Sequence, residues 1–151
     1  MKIIVIGAGA MGCLYGAYLS KNNDVTMLDV YEPQVQALNE NGITVQEEDG
    51  SEQHFSNIRA MKSGTCHEIA DLVIVFVKST HTESSLEENK ALFGENTLVM
   101  TLQNGAGNDR KIAKYVKTEN IIIGTSKHNS VNLGGGKIRH SGNGVTTIGS
   151  N

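Results

Sequence analysis

A glycine-rich segment near the N-terminus has the spacing GxGxxG and could hold a phosphate-bearing ligand. It consists of Gly7, Ala8, Gly9, Ala10, Met11 and Gly12. Gly7 permits a tight turn, Gly9 lets the backbone approach a pyrophosphate, and Gly12 allows close packing of a helix on a strand. The amides of Ala10 and Met11 would meet the phosphates at the positive end of that helix. The pattern predicts a dinucleotide site, against the alternative of a glycine-rich turn without a ligand.

A carboxylate, Asp29, lies 17 residues after Gly12 at the end of the second predicted strand. A carboxylate in this position accepts hydrogen bonds from the hydroxyls of an adenosine ribose. It also repels a ribose 2′-phosphate, so Asp29 favours NAD over NADP. The alternative is a strand-end aspartate that only faces solvent.

Polar residues follow three later strands, at the edge where open α/β sheets bind ligands. Lys78 directly follows the apolar run 71–77, and Asn104 follows the predicted strand 97–102. His128 lies in the loop after a further strand. Each residue also has a plainer interpretation: a solvated lysine, an Asn-Gly turn, and an exposed loop histidine without a chemical role.

The remaining chemistry-bearing residues indicate neither a metal site nor a nucleophilic enzyme. Cys13 and Cys66 do not form a CxxC pair, and the histidines lack the spacing of metal ligands. There is no nucleophile elbow to support a Ser–His–Asp site. We expect both cysteines to be packed thiols, although the sequence alone leaves a disulfide between them open.

Length and composition are those of one globular domain. The chain has 151 residues, of which 38% are hydrophobic and 19% charged, and its net charge is −3. This balance argues against a nucleic-acid surface. No stretch is long and apolar enough to span a membrane. Glycines interrupt the N-terminal apolar run, which is therefore not a signal peptide, and we expect a cytoplasmic protein.

Strand and helix patterns alternate along most of the chain. Predicted strands cover 2–6, 24–28, 43–45, 53–58, 71–77, 97–102, 120–124, 137–141 and 145–148, and predicted helices cover 10–21, 32–40, 82–92 and 109–116. Pro33 suits the first turn of the second helix, and Gly42 suits its end. Asp49-Gly50 predicts a hairpin turn between the third and fourth strands.

This alternation predicts βαβ units with right-handed crossovers, and hence a doubly wound, mainly parallel α/β sheet of the Rossmann type. The glycine motif then lies between the first strand and the first helix, which is the context it requires. The last two strands, joined by 142–144, are expected to form a C-terminal β-hairpin added to the sheet.

Five segments together resemble the ketopantoate reductase (2-dehydropantoate 2-reductase) family. They are MKIIVIGAGAMGCLYGAYL, DLVIVFVKST, LVMTLQNGAG, NIIIGTS and GKIRHSGNGVTTIG, and they cover essentially the whole chain in order. The resemblance implies that the motif glycines line the pyrophosphate and that Lys78 lies near the adenosine. It also implies that Asn104 lies beside the nicotinamide ribose, and that the stretch from His128 to Ser130 is close to the nicotinamide.

The resemblance further implies NAD(P)H-dependent reduction of ketopantoate to pantoate, a step of pantothenate biosynthesis. Family members carry a second, helical domain that supplies a catalytic lysine and a carboxylate for the substrate. Residues 1–151 resemble the cofactor-binding domain alone. We therefore expect no catalytic residue within this chain, and binding of a small 2-keto acid only together with the second domain.

The identity of the cofactor is open at this point. The family commonly has an arginine after the second strand that holds the 2′-phosphate of NADPH, where this chain has Asp29 and Val30. The usual cofactor of the family thus favours NADP, whereas the negative charge of Asp29 favours NAD.

Two other classes of protein share the strand, the GxGxxG turn and the acidic residue. One is a stand-alone nucleotide-sensing regulatory domain, like those attached to potassium channels. The other is the N-terminal half of a different NAD-dependent dehydrogenase. The Asn104-Gly105 turn and the terminal hairpin favour the reductase.

Overall fold

The structure is a computed structural model that describes residues 1–103 and 107–150. In chain order its helices and strands are β1 Lys2–Ile6, α1 Ala10–Leu19, β2 Asp24–Asp29, α2 Glu32–Asn41, β3 Ile43–Gln46, β4 Glu52–Phe55, β5 Ile58–Lys62, β6 Leu72–Val75, α3 Thr82–Glu88, β7 Leu98–Thr101, α4 Asn108–Ile112, β8 Ile121–Ser126, β9 Asn129–Gly134, β10 Lys137–Gly142 and β11 Thr146–Ser150. Short 3₁₀ turns lie at Ser79–His81, Lys90–Leu92 and Thr118–Asn120.

The main sheet of the described residues has seven strands in the order β11-β8-β7-β6-β1-β2-β5. Neighbouring strands pair in parallel, except that β11 runs antiparallel to β8. From β1 the chain winds outward through β2 to β5, then returns to β6 and winds outward on the other side through β7 to β8. The predicted doubly wound parallel sheet is therefore confirmed, and the strand order reverses between β1 and β6.

Both faces of β1 are covered, which explains its uninterrupted apolar sequence. Ile3 and Val5 pack in one apolar cluster with residues of α1 and α2, whereas Ile4 and Ile6 pack in another with residues of α3 and α4. These four side chains are at most 1% exposed. Each such burial stabilises the fold by roughly 1.5–3 kcal/mol relative to an exposed side chain.

A second, small sheet covers the side of α1 that faces away from the main sheet. The sequence predicted its β3–β4 hairpin with the turn at Asp49-Gly50, which is confirmed, but not the sheet as a whole. Its order is β4-β3-β10-β9, with β3 antiparallel to β4 and parallel to β10, and with β9 antiparallel to β10. Ile43, Val45, Phe55 and Ile138 from this sheet join Leu14 of α1 in one apolar cluster. The helix that carries the glycine motif is thus enclosed between two sheets.

The predicted strand 53–58 is wrong in extent, because its two ends belong to different sheets. Phe55 ends β4 in the small sheet, whereas Ile58 begins β5 beside β2 in the main sheet. Between them, the Asn57 side chain donates to the carbonyl oxygen of Ser20 at 3.3 Å. Phe55 and Ile58 are three positions apart, so the two-residue period of a strand is already broken there.

The C-terminal hairpin is formed by β9 and β10, and not by the two predicted strands 137–141 and 145–148. The glycine run 134–136 has φ values of 88°, 63° and 86°, which turn the chain between β9 and β10. β10 lies in the small sheet, whereas β11 pairs with β8 in the main sheet. The segment 142–144 is therefore a passage between sheets, and its prediction as a hairpin turn is wrong.

The second helix begins and ends where the sequence predicts. Pro33 lies in the first turn of α2, and Gly42 follows the helix with φ 68° and donates its N–H to the carbonyl oxygen of Leu38 at 2.8 Å. The other three predicted helices are shorter than expected, and α1 ends at Leu19. α3 ends at Glu88 and continues as a 3₁₀ turn, and α4 ends at Ile112.

Candidate functional site

Two cavities open at the carboxyl edge of the main sheet, on either side of the β1–β6 junction. The β2-side cavity, of about 470 Å³, is lined by Gly7, Gly9, Asp29, Ser63, Lys78 and Glu88 among others. The β7-side cavity, of about 490 Å³, is lined by Met11, Lys78, Gln103, His128 and Ser130 among others. Phe76, Val77 and Lys78 line both, so the two cavities meet where open α/β sheets bind their ligands.

The glycine motif forms the turn between the cavities. Gly7 has φ 105°, and its N–H donates to the carbonyl oxygen of Leu28 at 2.8 Å. Gly9 is exposed, and a Cβ added to it would have no atom within 4 Å. α1 begins directly afterwards at Ala10 without a side-chain cap, and the N–H groups of a first helical turn have no acceptor within the helix. The backbone at Gly9 therefore offers open space at a positive helix end, which suits a pyrophosphate.

Asp29 lies where the sequence predicts, but it has a second role that the sequence did not reveal. One carboxylate oxygen accepts the N–H of Ala8 at 2.8 Å, and the other accepts the N–H of Tyr31 at 2.9 Å. The side chain thus braces the glycine turn from the end of β2. Each carboxylate oxygen has further lone pairs, and Asp29 lines the β2-side cavity, where it could accept hydrogen bonds from the hydroxyls of a ligand.

Lys78 is exposed and directly precedes the 3₁₀ turn Ser79–His81. It lines both cavities, at the carboxyl edge of the sheet where the sequence places it; its role towards a ligand stays a prediction. The sequence did not identify Glu88, which enters the β2-side cavity from the end of α3 and accepts a hydrogen bond from the hydroxyl of Ser63 at 3.0 Å. Nothing local distinguishes Glu88 from the other acidic residues of α3.

Ser130, which lines the β7-side cavity, carries a hydroxyl that is buried and lacks a partner among the described residues. An orphaned buried hydroxyl is costly unless a ligand or solvent satisfies it, so this cavity favours a polar occupant. Gln103 lines the same cavity and donates to the carbonyl oxygen of Val77 at 2.5 Å. Asn104, the predicted ribose contact, lies outside the described residues.

Cys13 is fully buried beneath the glycine turn, with Sγ 3.4 Å from the carbonyl oxygen of Ala8. Burial raises the pKa of the Cys13 thiol to about 12. A hydrogen bond from Gln34 lowers this pKa in part, and the negative charge of Asp29 raises it further. Cys66 is also buried, and neither cysteine forms a disulfide. The prediction of two packed thiols is confirmed.

We expect the Cys13 thiol to make the fold sensitive to alkali. The unfolded thiol loses its proton near pH 9, whereas the folded one keeps it to about pH 12. Its stabilising contribution is therefore complete below pH 9 and is lost as pH rises towards 12, by at most about 4 kcal/mol. Denaturant titrations between pH 8 and pH 11 should show a steeper loss of stability for wild type than for Cys13→Ala. Equal pH slopes would contradict this account, because the other titrating groups are common to both proteins.

Other types of site find no support in the described part of the chain. Within residues 1–103 and 107–150, His, Cys, Asp and Glu form no group of three or more that could hold a metal ion. The helices of those same residues are too short to cross a bilayer, α1 and α2 having ten residues each.

The sequence matches known proteins over nearly its full length. A family model described as "Ketopantoate reductase PanE/ApbA" matches residues 3–151. The 2-dehydropantoate 2-reductase of Halobacterium salinarum is 34% identical over 152 residues, which cover 99% of this chain and 49% of that protein. The enzyme of the same name from Lactococcus lactis is 33% identical over 149 residues.

Solved structures agree with these relatives. The 2-dehydropantoate 2-reductase of Geobacter metallireducens superposes with a TM-score of 0.87 at 31% identity, over 99% of this chain and 49% of that one. A ternary complex of D-mandelate dehydrogenase with NADH and anilino(oxo)acetate superposes with a TM-score of 0.86 at 30% identity, over 98% and 47%. The chain thus spans about half the length of the proteins it matches. Sequence and fold together establish that this chain belongs to the ketopantoate reductase family.

Proposed function

We propose that this chain binds a nicotinamide dinucleotide along the carboxyl edge of its main sheet. The adenosine would lie in the β2-side cavity, the pyrophosphate over Gly9, and the nicotinamide in the β7-side cavity. The observation that carries the proposal is the open, uncapped helix start at Gly9 between two adjoining cavities. Both ends of such a ligand then meet polar groups, Asp29 at one and Ser130 at the other.

We further propose that the chain is the cofactor-binding part of an oxidoreductase that reduces a small 2-keto acid, with ketopantoate as the substrate and pantoate as the product. The names of the curated relatives support this activity over a nucleotide-sensing module. The bound reduced nicotinamide would supply the hydride, and an acid must protonate the new alkoxide oxygen. We assign no described residue to that acid, so the chain supplies cofactor positioning and the second domain of the family would supply the rest.

NAD(H) is the cofactor that the charges of the β2-side cavity favour. Among the described residues that line this cavity, Asp29 and Glu88 carry carboxylates and Lys78 carries an ammonium group. A 2′-phosphate about 4 Å from an ionised carboxylate is destabilised by roughly 1–4 kcal/mol, depending on solvent access. The NADH complex of the related D-mandelate dehydrogenase is consistent with this preference.

We expect wild-type protein to bind NADH about tenfold more tightly than NADPH, as one charge repulsion of moderate size would produce. Glu88→Gln should reduce the ratio of NADH affinity to NADPH affinity several-fold, because the negative charge is lost. The amide oxygen of the glutamine can still accept the hydrogen bond from the Ser63 hydroxyl. Isothermal titration of both cofactors against both proteins measures the ratio. Equal or tighter binding of NADPH by wild type would overturn the choice of NAD(H), and binding of neither would overturn the dinucleotide site.

The matched control is Glu83→Gln, on the same helix but paired with Lys114 outside the cavity. It should leave the NADH-to-NADPH ratio unchanged. Asp29→Asn should also narrow the ratio, but it will weaken both cofactors, since an amide nitrogen must then face the N–H of Ala8 or Tyr31. Only the ratio, in which the common loss cancels, is informative for that variant.

A further inference from the structure

A chain of hydrogen bonds crosses the small sheet and ends at the β7-side cavity. The hydroxyl of Tyr18 donates to Oε1 of Glu47, whose Oε2 lies 2.9 Å from Nδ1 of His140. Nε2 of His140 lies 3.0 Å from Nδ1 of His128. His140 is only 5% exposed, so its ring nitrogens bond to these protein groups rather than to solvent. The chain of hydrogen bonds joins α1, the residue after β3, β10 and the loop between β8 and β9.

The carboxylate of Glu47 fixes the direction of every hydrogen bond along this chain. An ionised carboxylate only accepts, so Nδ1 of His140 must carry the proton that it shares with Glu47. In neutral His140 the other nitrogen, Nε2, then carries a lone pair, and it accepts a hydrogen bond from the Nδ1–H group of His128. Neutral His128 is left with a lone pair on Nε2. The arrangement makes His128 a hydrogen-bond acceptor towards anything beyond it.

His128 is well placed to use that lone pair. Its ring lines the β7-side cavity together with Ser130, whose buried hydroxyl lacks a partner among the described residues. The ring also packs at right angles to that of Tyr15, with ring centroids 6.1 Å apart and planes at 90°. A primary carboxamide offers N–H donors and one acceptor oxygen, which complement one imidazole lone pair and one hydroxyl.

We propose that Glu47 and His140 are positioning residues that hold His128 as the Nδ1–H tautomer, and that Nε2 of His128 accepts a hydrogen bond from the nicotinamide carboxamide. The inference rests on the dinucleotide function proposed above. It adds a group that recognises the nicotinamide end of the cofactor. In the sequence, His140 lies 12 positions from His128 and 93 positions from Glu47. Ser130 would donate to the carboxamide oxygen in the same arrangement.

The tautomer can be tested without any ligand. In ¹⁵N-labelled wild-type protein, imidazole NMR spectra should show His128 and His140 both protonated at Nδ1. In Glu47→Gln the amide oxygen stays with the Tyr18 hydroxyl and the amide N–H₂ faces His140, which inverts the chain and moves the His128 proton to Nε2. Glu48→Gln is the matched control, because the Glu48 side chain accepts the N–H of Asn143, a bond that an amide oxygen preserves, and lies outside the Tyr18–Glu47–His140–His128 chain. An Nε2–H tautomer of His128 in wild type would overturn the proposal.

Binding experiments with two ligands test the contact itself. ADP-ribose keeps the adenosine and pyrophosphate of NADH but lacks the nicotinamide. Glu47→Gln should weaken NADH about tenfold, since a donor then faces the carboxamide donor, and should leave ADP-ribose unchanged. Glu48→Gln should change neither affinity. Unchanged NADH binding by Glu47→Gln would overturn the contact, whereas wild-type protein that binds neither ligand would instead overturn the proposed function.

Discussion

Replacing Gly9 by valine should abolish dinucleotide binding and leave the fold intact. Gly9 has extended backbone, with φ −79° and ψ −165°, which a β-branched residue adopts readily. An added Cβ meets no atom within 4 Å, so the protein itself does not resist the larger side chain. The valine would instead fill the space over the first turn of α1 that the pyrophosphate requires. We expect at least about a 100-fold loss of NADH affinity, because the phosphates lose their contacts with the helix amides.

The measurement is calorimetric titration with NADH, together with thermal unfolding followed by circular dichroism. Gly149→Val is a matched control, because the same substitution is made at another glycine that has open space and no positive φ. Gly149 lies in β11, outside both cavities. The control should keep both affinity and melting temperature. Unchanged NADH affinity in Gly9→Val would remove the glycine turn from the binding site.

The strand–turn–helix unit was predictable because independent local signals coincide there. The apolar run of β1, the three motif glycines and the helical spacing of α1 all point to one structure, and the structure confirms each. The position of Asp29 follows from the same unit, since it ends the next strand. Its hydrogen bond to the N–H of Ala8 does not follow, because that contact depends on how closely β2 and the turn approach.

The small sheet as a whole could not be predicted, because the pairing that joins its two hairpins is between distant segments. β10 pairs in parallel with β3, so Ile138 lies beside Val45, and no local pattern encodes that pairing. β9 is an edge strand whose residues are mostly exposed, which leaves little hydrophobic periodicity to detect. Only after these strands assemble does Glu47 reach His140. The sequence therefore predicted His128 as a loop candidate but gave it no partner.

Replacing Gly12 by alanine should destabilise the protein strongly. Gly12 is buried in α1 against the turn that precedes it, and an added Cβ would overlap the carbonyl oxygen of Gly7 and lie 3.1 Å from its carbonyl carbon. Gly7 cannot move aside easily, because its N–H is bonded to Leu28 and its φ is 105°. Alanine gains up to about 1 kcal/mol in helix propensity. The overlap with backbone should outweigh that gain and cost about 3 kcal/mol net, with a fall of roughly 10 °C in melting temperature.

The contrast with Gly16, one turn later on the same helix, separates backbone overlap from crowding in general. A Cβ at Gly16 would meet the Sδ and Cε atoms of Met27, and a methionine side chain has three rotatable bonds through which it can move aside. Gly16→Ala should therefore change the free energy of unfolding by less than about 1 kcal/mol, since the helix-propensity gain offsets the repacking. Urea titrations of both variants measure the difference. Equal stabilities for Gly12→Ala and Gly16→Ala would mean that the turn at Gly7 yields, and that the third glycine of the motif is not needed for close packing of α1.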